Sequence, residues 1–182
     1  MSNCAAIVAK TANPKVIVVS AIGDTTRILV SLAQQIPMSK KEKLLAELKT
    51  KHYQITDELK NKPNLDKLLN KVKELAEKLS KNKDAKLTAE LLALGEQMAS
   101  LLFTAVLNDA EILATDFDVK KIMKTNMDFV RAEPDISQIK QCCAQYLLPL
   151  CKDQAVVTQG FIGADTENNT TILGMESSDY TA

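Results

Sequence analysis

In this 182-residue sequence the side chain that most invites chemistry is Glu96. It stands in the run Leu91-Leu92-Ala93-Leu94-Gly95-Glu96-Gln97-Met98, where most neighbours are apolar. A carboxylate on an otherwise buried helix needs a partner for its charge. Thr26 ends the small-residue turn Ser20-Ala21-Ile22-Gly23-Asp24-Thr25-Thr26. Its hydroxyl is placed to cap or steady the first turn of the helix that follows. The last nine residues read Gly174-Met175-Glu176-Ser177-Ser178-Asp179-Tyr180-Thr181-Ala182. Gly174 is the single glycine in that run, the residue type that turns without strain.

Other chemistries find little support. The four cysteines are Cys4, Cys142, Cys143 and Cys151, and His52 is the one histidine. Cys142 and Cys143 are adjacent, without the two-residue gap of a zinc ligand pair, so no metal site is expected. A disulfide framework does not suit a chain of this length that lacks a secretion signal, and the thiols read as reduced core residues. Lysine plus arginine balance aspartate plus glutamate at 23 each. A net charge of zero gives no pull toward nucleic acid or anionic membrane. No run was found of the roughly 20 apolar residues that a membrane helix needs. Met1-Ser2-Asn3-Cys4-Ala5-Ala6 is no signal peptide, so the cytoplasm is the simplest location.

The surrounding pattern predicts the elements that must hold these residues. Val16-Ile17-Val18-Val19 reads as a buried strand, followed by the small-residue turn and a helix from Arg27 to Ile36. Ser39-Lys40-Lys41-Glu42 has the form of a capping box for a helix to about Leu59. After Asn61-Lys62-Pro63-Asn64, a stripe of Leu65, Leu68, Leu69, Val72, Leu75, Ala76 and Leu79 predicts a second helix with a solvated lysine-rich face. Thr88 is placed to cap a third, apolar nearly all round and hence buried. Glu111 to Phe117 suggests a strand, and Asp135 caps a helix to about Leu148. Ala155 to Ile162 is a second clear strand, and Thr170 to Leu173 pairs back after a polar turn. The expected class is α/β: one domain over residues 1–182, with a mostly parallel sheet and helices on both its faces.

Several segments in order resemble the catalytic domain of aspartokinases, in the amino-acid kinase family. Ser20-Ala21 with Thr26 resembles the family's Ser-Ala-x-x-Gly-x-Thr-Asn turn. Gly95-Glu96-x-Met98 resembles its His-Gly-Glu-x-Met-Ser helix. Phe129-x-Arg131-Ala132-Glu133-Pro134-Asp135-Ile136 looks like a segment of the lysine-sensitive branch. Val157-Thr158-Gln159-Gly160-Phe161-Ile162-Gly163 and Ser178-Asp179-Tyr180-Thr181-Ala182 complete the set. The resemblance implies a partial amino-acid kinase fold, an N-terminal part of the catalytic domain. The implied reaction is transfer of the ATP γ-phosphoryl group to the β-carboxylate of aspartate, on the way to lysine, threonine and methionine. Thr26 and Glu96 would be remnants of the aspartate site; Gly174, Ser178 and Asp179 would be remnants of the phosphate loop.

The same resemblance exposes departures. No Lys-Phe-Gly-Gly loop is present, and neither Lys10 nor Lys15 has glycines beside it. Met175 stands at the substrate-gripping arginine, and Glu176 and Ser177 at two glycines. Asp24, Arg27 and Leu94 replace a glycine, an asparagine and a histidine, and Ala99 stands in the serine's place. The family's adenine and ribose contacts and its ACT domains lie beyond the end of this sequence. Phosphoryl transfer depends on positioning and on neutralising negative charge, so no residue is assigned as catalytic. The resulting expectation is an aspartokinase-like protein, inactive alone, with a binding or regulatory role. Aspartate is its candidate ligand, and a protein or a second copy its candidate partner. ATP and Mg are expected only if activity is retained. Two alternatives stay open: half of a split kinase completed by another chain, and a fragment without function.

Overall fold

A computed structural model describes residues 1–11, 16–174 and 177–182. Lys15, Met175 and Glu176, with the Asn13-Pro14 pair, lie outside the described residues. In chain order the elements are α1 (Ser2–Lys10), β1 (Val16–Val19), α2 (Thr25–Leu32), α3 (Met38–Asp57), α4 (Asp66–Lys81), α5 (Ala85–Asp109), β2 (Ala114–Phe117), α6 (Ile136–Cys142), β3 (Ala155–Gln159), β4 (Ile162–Ala164), β5 (Thr170–Ile172) and α7 (Ser178–Thr181). A π turn, Cys143–Leu147, extends α6.

The expected sheet-based architecture does not hold. Helices take up 56% of the structure and strands 13%. Among the described residues three strands form a parallel sheet, in the order β1-β3-β2, and β4 pairs with β5 as a separate antiparallel ribbon. Two physical causes explain the correction. Residues 38–109 form three helices of 20, 16 and 25 residues, so the middle of the chain packs as a helical layer. The apolar run from Ala155 to Ile162 also does not continue as one strand. Phe161 adopts a φ of +67°, which ends β3 and redirects the chain into the ribbon. Nor is β1 the buried strand expected. It lies at the edge of the sheet with Val16 43% exposed, while all of β3 in the centre is buried.

The helix starts follow local chemistry, at some sites by a different residue from the one the pattern suggests. Ser39 lies inside α3, because Pro37 holds the N-cap position at φ −55° and no side chain caps the helix. For α5 the cap is Asp84, whose carboxylate accepts the Leu87 N–H at 2.9 Å; Thr88 instead donates to the Asp84 carbonyl. Asp135 does cap α6, accepting the Gln138 N–H at 3.0 Å.

Helix α5 organises the core. Leu91, Leu94 and Met98 face a large cluster with Leu29, Leu32, Val72, Leu75 and Leu79 from α2 and α4. Further along, Phe103 and Leu107 meet Ala5 of α1 and Ala155 and Val157 of β3 in a second cluster. Length and composition alone would let α5 cross a membrane, against the sequence expectation that no such run exists. Most of its apolar stretch is buried by the rest of the protein, which marks it as a core helix.

Candidate functional site at the strand ends

The parallel strands β1 and β3 both deliver their C-terminal ends to one place. The Gly160 N–H, just past β3, donates to the Val19 carbonyl of β1 at 2.8 Å. The turn from Ser20 follows on one side and Phe161 on the other. In parallel α/β sheets ligands bind beyond the carboxyl ends of the strands. Here α5 and α7 close on the same region.

Glu96 is 2% exposed on α5. Its Oε1 accepts the Ala21 N–H at 3.3 Å, and its Oε2 has no partner. Burial raises its pKa to about 7, against the downward pull of its own N–H and that of Ala21. The turn comes this close because residue 95 is glycine. A Cβ there would lie 3.1 Å from both the Ala21 Cβ and the Leu29 Cδ1, and 3.3 Å from the Thr25 Cγ2.

The turn places its two threonines differently. Thr25 is fully buried and donates to the Ile22 carbonyl at 2.7 Å. Thr26, the second residue of α2, is half-buried, and among the described residues its hydroxyl has no hydrogen-bond partner. The capping role for Thr26 is therefore not taken up. Asp24, at the N-cap of α2, does not cap it either. Its carboxylate pairs with the Lys51 ammonium of α3 and with the Arg27 guanidinium at 3.1 Å.

The phosphate-loop candidates divide. Ser178 opens α7 against Gly160. A Cβ on Gly160 would meet the Ser178 Cβ and Oγ at 2.6 Å and its Cα at 3.0 Å, so only glycine allows this approach. Gly174 has a φ of +103°, a left-handed conformation that favours glycine, and its carbonyl accepts the Ser177 hydroxyl at 2.6 Å. Asp179 is exposed and takes no part.

Sequence reasoning missed three contributors: the Ala21 N–H, the Lys51–Asp24 pair, and Gln159. Gln159 is 2% exposed. Its Nε2 donates to the Ser100 Oγ at 2.7 Å and to the Asp116 Oδ1 at 3.2 Å, and its Oε1 accepts the Val119 N–H at 3.0 Å. It ties the end of β3 to α5 one turn past Glu96. Its place in the Thr158-Gln159-Gly160-Phe161 run was the one available signal.

The sequence profile of the amino acid kinase family matches residues 1–182. Lysine-sensitive aspartokinase 3 of Escherichia coli is 37% identical over 187 residues, spanning all of this chain and 41% of the relative. An aspartokinase of Chlamydia muridarum is 27% identical over 171 residues, 93% of this chain and 38% of its own length. The solved E. coli aspartokinase III in complex with aspartate and ADP superposes with a TM-score of 0.96 at 36% identity, covering all of this chain and 42% of that one. A Clostridium acetobutylicum aspartate kinase shares the fold with a TM-score of 0.73 at 16% identity, over 98% of this chain and 39% of that one. The chain thus spans about two fifths of the length of the aspartokinases it matches. Its fold, its strand-end cluster and a match along its whole length agree: the chain belongs to the amino acid kinase family.

Proposed function

We propose that this chain carries the amino-acid side of an aspartokinase-type site, that it binds aspartate there, and that it does not transfer a phosphoryl group by itself. The observation that carries the binding half is the bare Oε2 of buried Glu96. An ammonium group beside that atom would supply both the missing donor and the counter-charge, and would hold the carboxylate ionised. The free hydroxyl of Thr26 and the Ser178 hydroxyl stand on the two segments that border the same strand ends, as donors for a ligand carboxylate. The 36% identical relative solved with aspartate supports that choice of ligand.

The second half rests on residue types. Developing charge on a transferring phosphoryl group needs cations and backbone donors. Met175 offers neither where the resembled loop has arginine, and Glu176 adds an anion where it has glycine. Asp24 adds another carboxylate to the turn, already committed to Lys51 and Arg27. Loss of one stabilising donor typically costs about 10²–10³ in rate, and several are altered together. Among the described residues no group of three or more His, Cys, Asp or Glu side chains is placed to hold a metal ion. The role that remains is ligand-dependent binding or regulation in the cytoplasm, with a protein partner or a second copy.

One observation favours a second reading, completion by another chain. The edge strand β1 leaves Val16 exposed and offers a template for a further strand. Trapping of aspartyl phosphate with hydroxylamine, at high protein concentration, tests the main reading. No product from ATP and aspartate is expected. Product at a rate near that of a complete aspartokinase would sink it; product only after adding a complementary kinase chain would favour the second reading.

A further inference from the structure

We infer that Lys51, on α3, is a positioning residue for the ligand site, holding the Ser20–Thr26 turn against Glu96 through Asp24. The inference rests on the proposed reading of that site for its functional meaning, but its structural basis is separate.

Asp24 occupies the N-cap of α2, where an aspartate ordinarily turns its carboxylate inward onto the free N–H groups of the first turn. It does not do so here. Its Oδ1 faces the Lys51 ammonium and its Oδ2 the Arg27 guanidinium. Arg27 is 81% exposed and sits on the same helix, so it fixes nothing beyond α2. Lys51 is different. Its side chain is 28% exposed, it comes from a separate helix, and its Nζ lies 4.0 Å from the position a Cβ on Gly23 would take. The ammonium therefore lies across the middle of the turn. Gly23 is in the left-handed region at φ +58°, a conformation that glycine adopts without strain.

What the turn carries makes the contact matter. Among the described residues, Ala21 donates the one hydrogen bond that Glu96 receives from outside its own helix. Thr26 holds the unengaged hydroxyl. Between them runs a chain of local bonds, from the Thr25 N–H and hydroxyl to the Ile22 carbonyl. These bonds shape the turn but do not attach it to the helical layer. Attachment comes from Thr25 and Ala21 against Gly95, and from Lys51 on the far side. Release of Lys51 would loosen the turn that lies against Glu96 and let water reach the carboxylate.

The test is a ¹³C-carboxyl NMR titration of Glu96 in the ligand-free protein, for Asp24→Asn, Lys51→Met and the swap Asp24→Lys with Lys51→Asp. If the clasp excludes water, both single changes move the Glu96 titration down toward the ordinary carboxylate range, and the swap returns it. If the two charges act only through their fields, removing a cation raises that titration and removing an anion lowers it. Shifts of opposite sign, no shift, or a swap that restores nothing would overturn the inference. Aspartate affinity, measured in parallel, should weaken roughly fivefold in each single variant, as expected for loss of a partly exposed pair. Failure of the unaltered protein to bind aspartate would count against the proposed function and leave the titration result standing.

Discussion

Two buried titratable groups, His52 in the helical layer and Glu96 at the strand ends, each keep one polar atom without a partner. His52 is fully buried in α3, with its Nδ1 2.8 Å from the Leu48 carbonyl. A carbonyl only accepts, so Nδ1 carries the proton and Nε2 is bare. Burial, and then the nearby Lys51, lower the pKa of His52 against that hydrogen bond. The ring stays neutral, and a neutral bare nitrogen is tolerable inside a core. Glu96 has no such escape. Burial raises its pKa to about 7 and so disfavours the charged form, and keeping the charge leaves a bare carboxylate oxygen in a dry place. The contrast separates a structural orphan from one that a ligand would satisfy.

The largest way to sharpen the comparison is pH. The pKa of Glu96 is raised on folding, so its contribution to stability is complete below about 4.5 and is lost as pH rises through about 7. The loss amounts to about 3 kcal/mol. Thermal or urea unfolding of Glu96→Gln across that window should lack the decline. An unchanged slope would mean that Glu96 is solvated.

Gly160→Ala comes next. The new Cβ would lie 2.6 Å from the Ser178 Cβ and Oγ, well inside van der Waals contact, and overpacking of this kind costs about 1–3 kcal/mol. Destabilisation in urea, relieved in the double variant with Ser178→Gly, is expected. His52 gives a smaller effect of opposite sign. Its folded pKa lies below the unfolded value of 6.5, so its contribution is present above that pH and fades as pH falls below it. His52→Phe should remove the acid-side loss and leave the neutral-side decline intact. The smallest effect is on global stability in Lys51→Met, below about 1 kcal/mol for a partly exposed pair, measurable as a minor change in urea midpoint.

Much of the helical layer was legible because its information is local. The stripe from Leu65 to Leu79 and the apolar circumference of α5 needed only helical spacing, and Asp135 announced its own cap. Glu96 was legible by isolation, the one charge between Glu90 and Asp109 in the apolar middle of α5. The sheet was not, because its extent is decided at long range. Nothing near Gly160 says that Ser178 will press on it, and nothing near Asp24 says that a lysine 27 positions later will take its carboxylate. The edge position of β1 is likewise a matter of neighbours, invisible in four apolar residues.

The most direct test is calorimetric titration of the protein with aspartate near pH 7, repeated in buffers of different ionisation enthalpy. The site described here predicts saturable binding with release of a fraction of a proton, as the ligand ammonium drives Glu96 to its charged form, and no such release in Glu96→Gln. Absence of binding, or binding with no proton release and no dependence on Glu96, would contradict it.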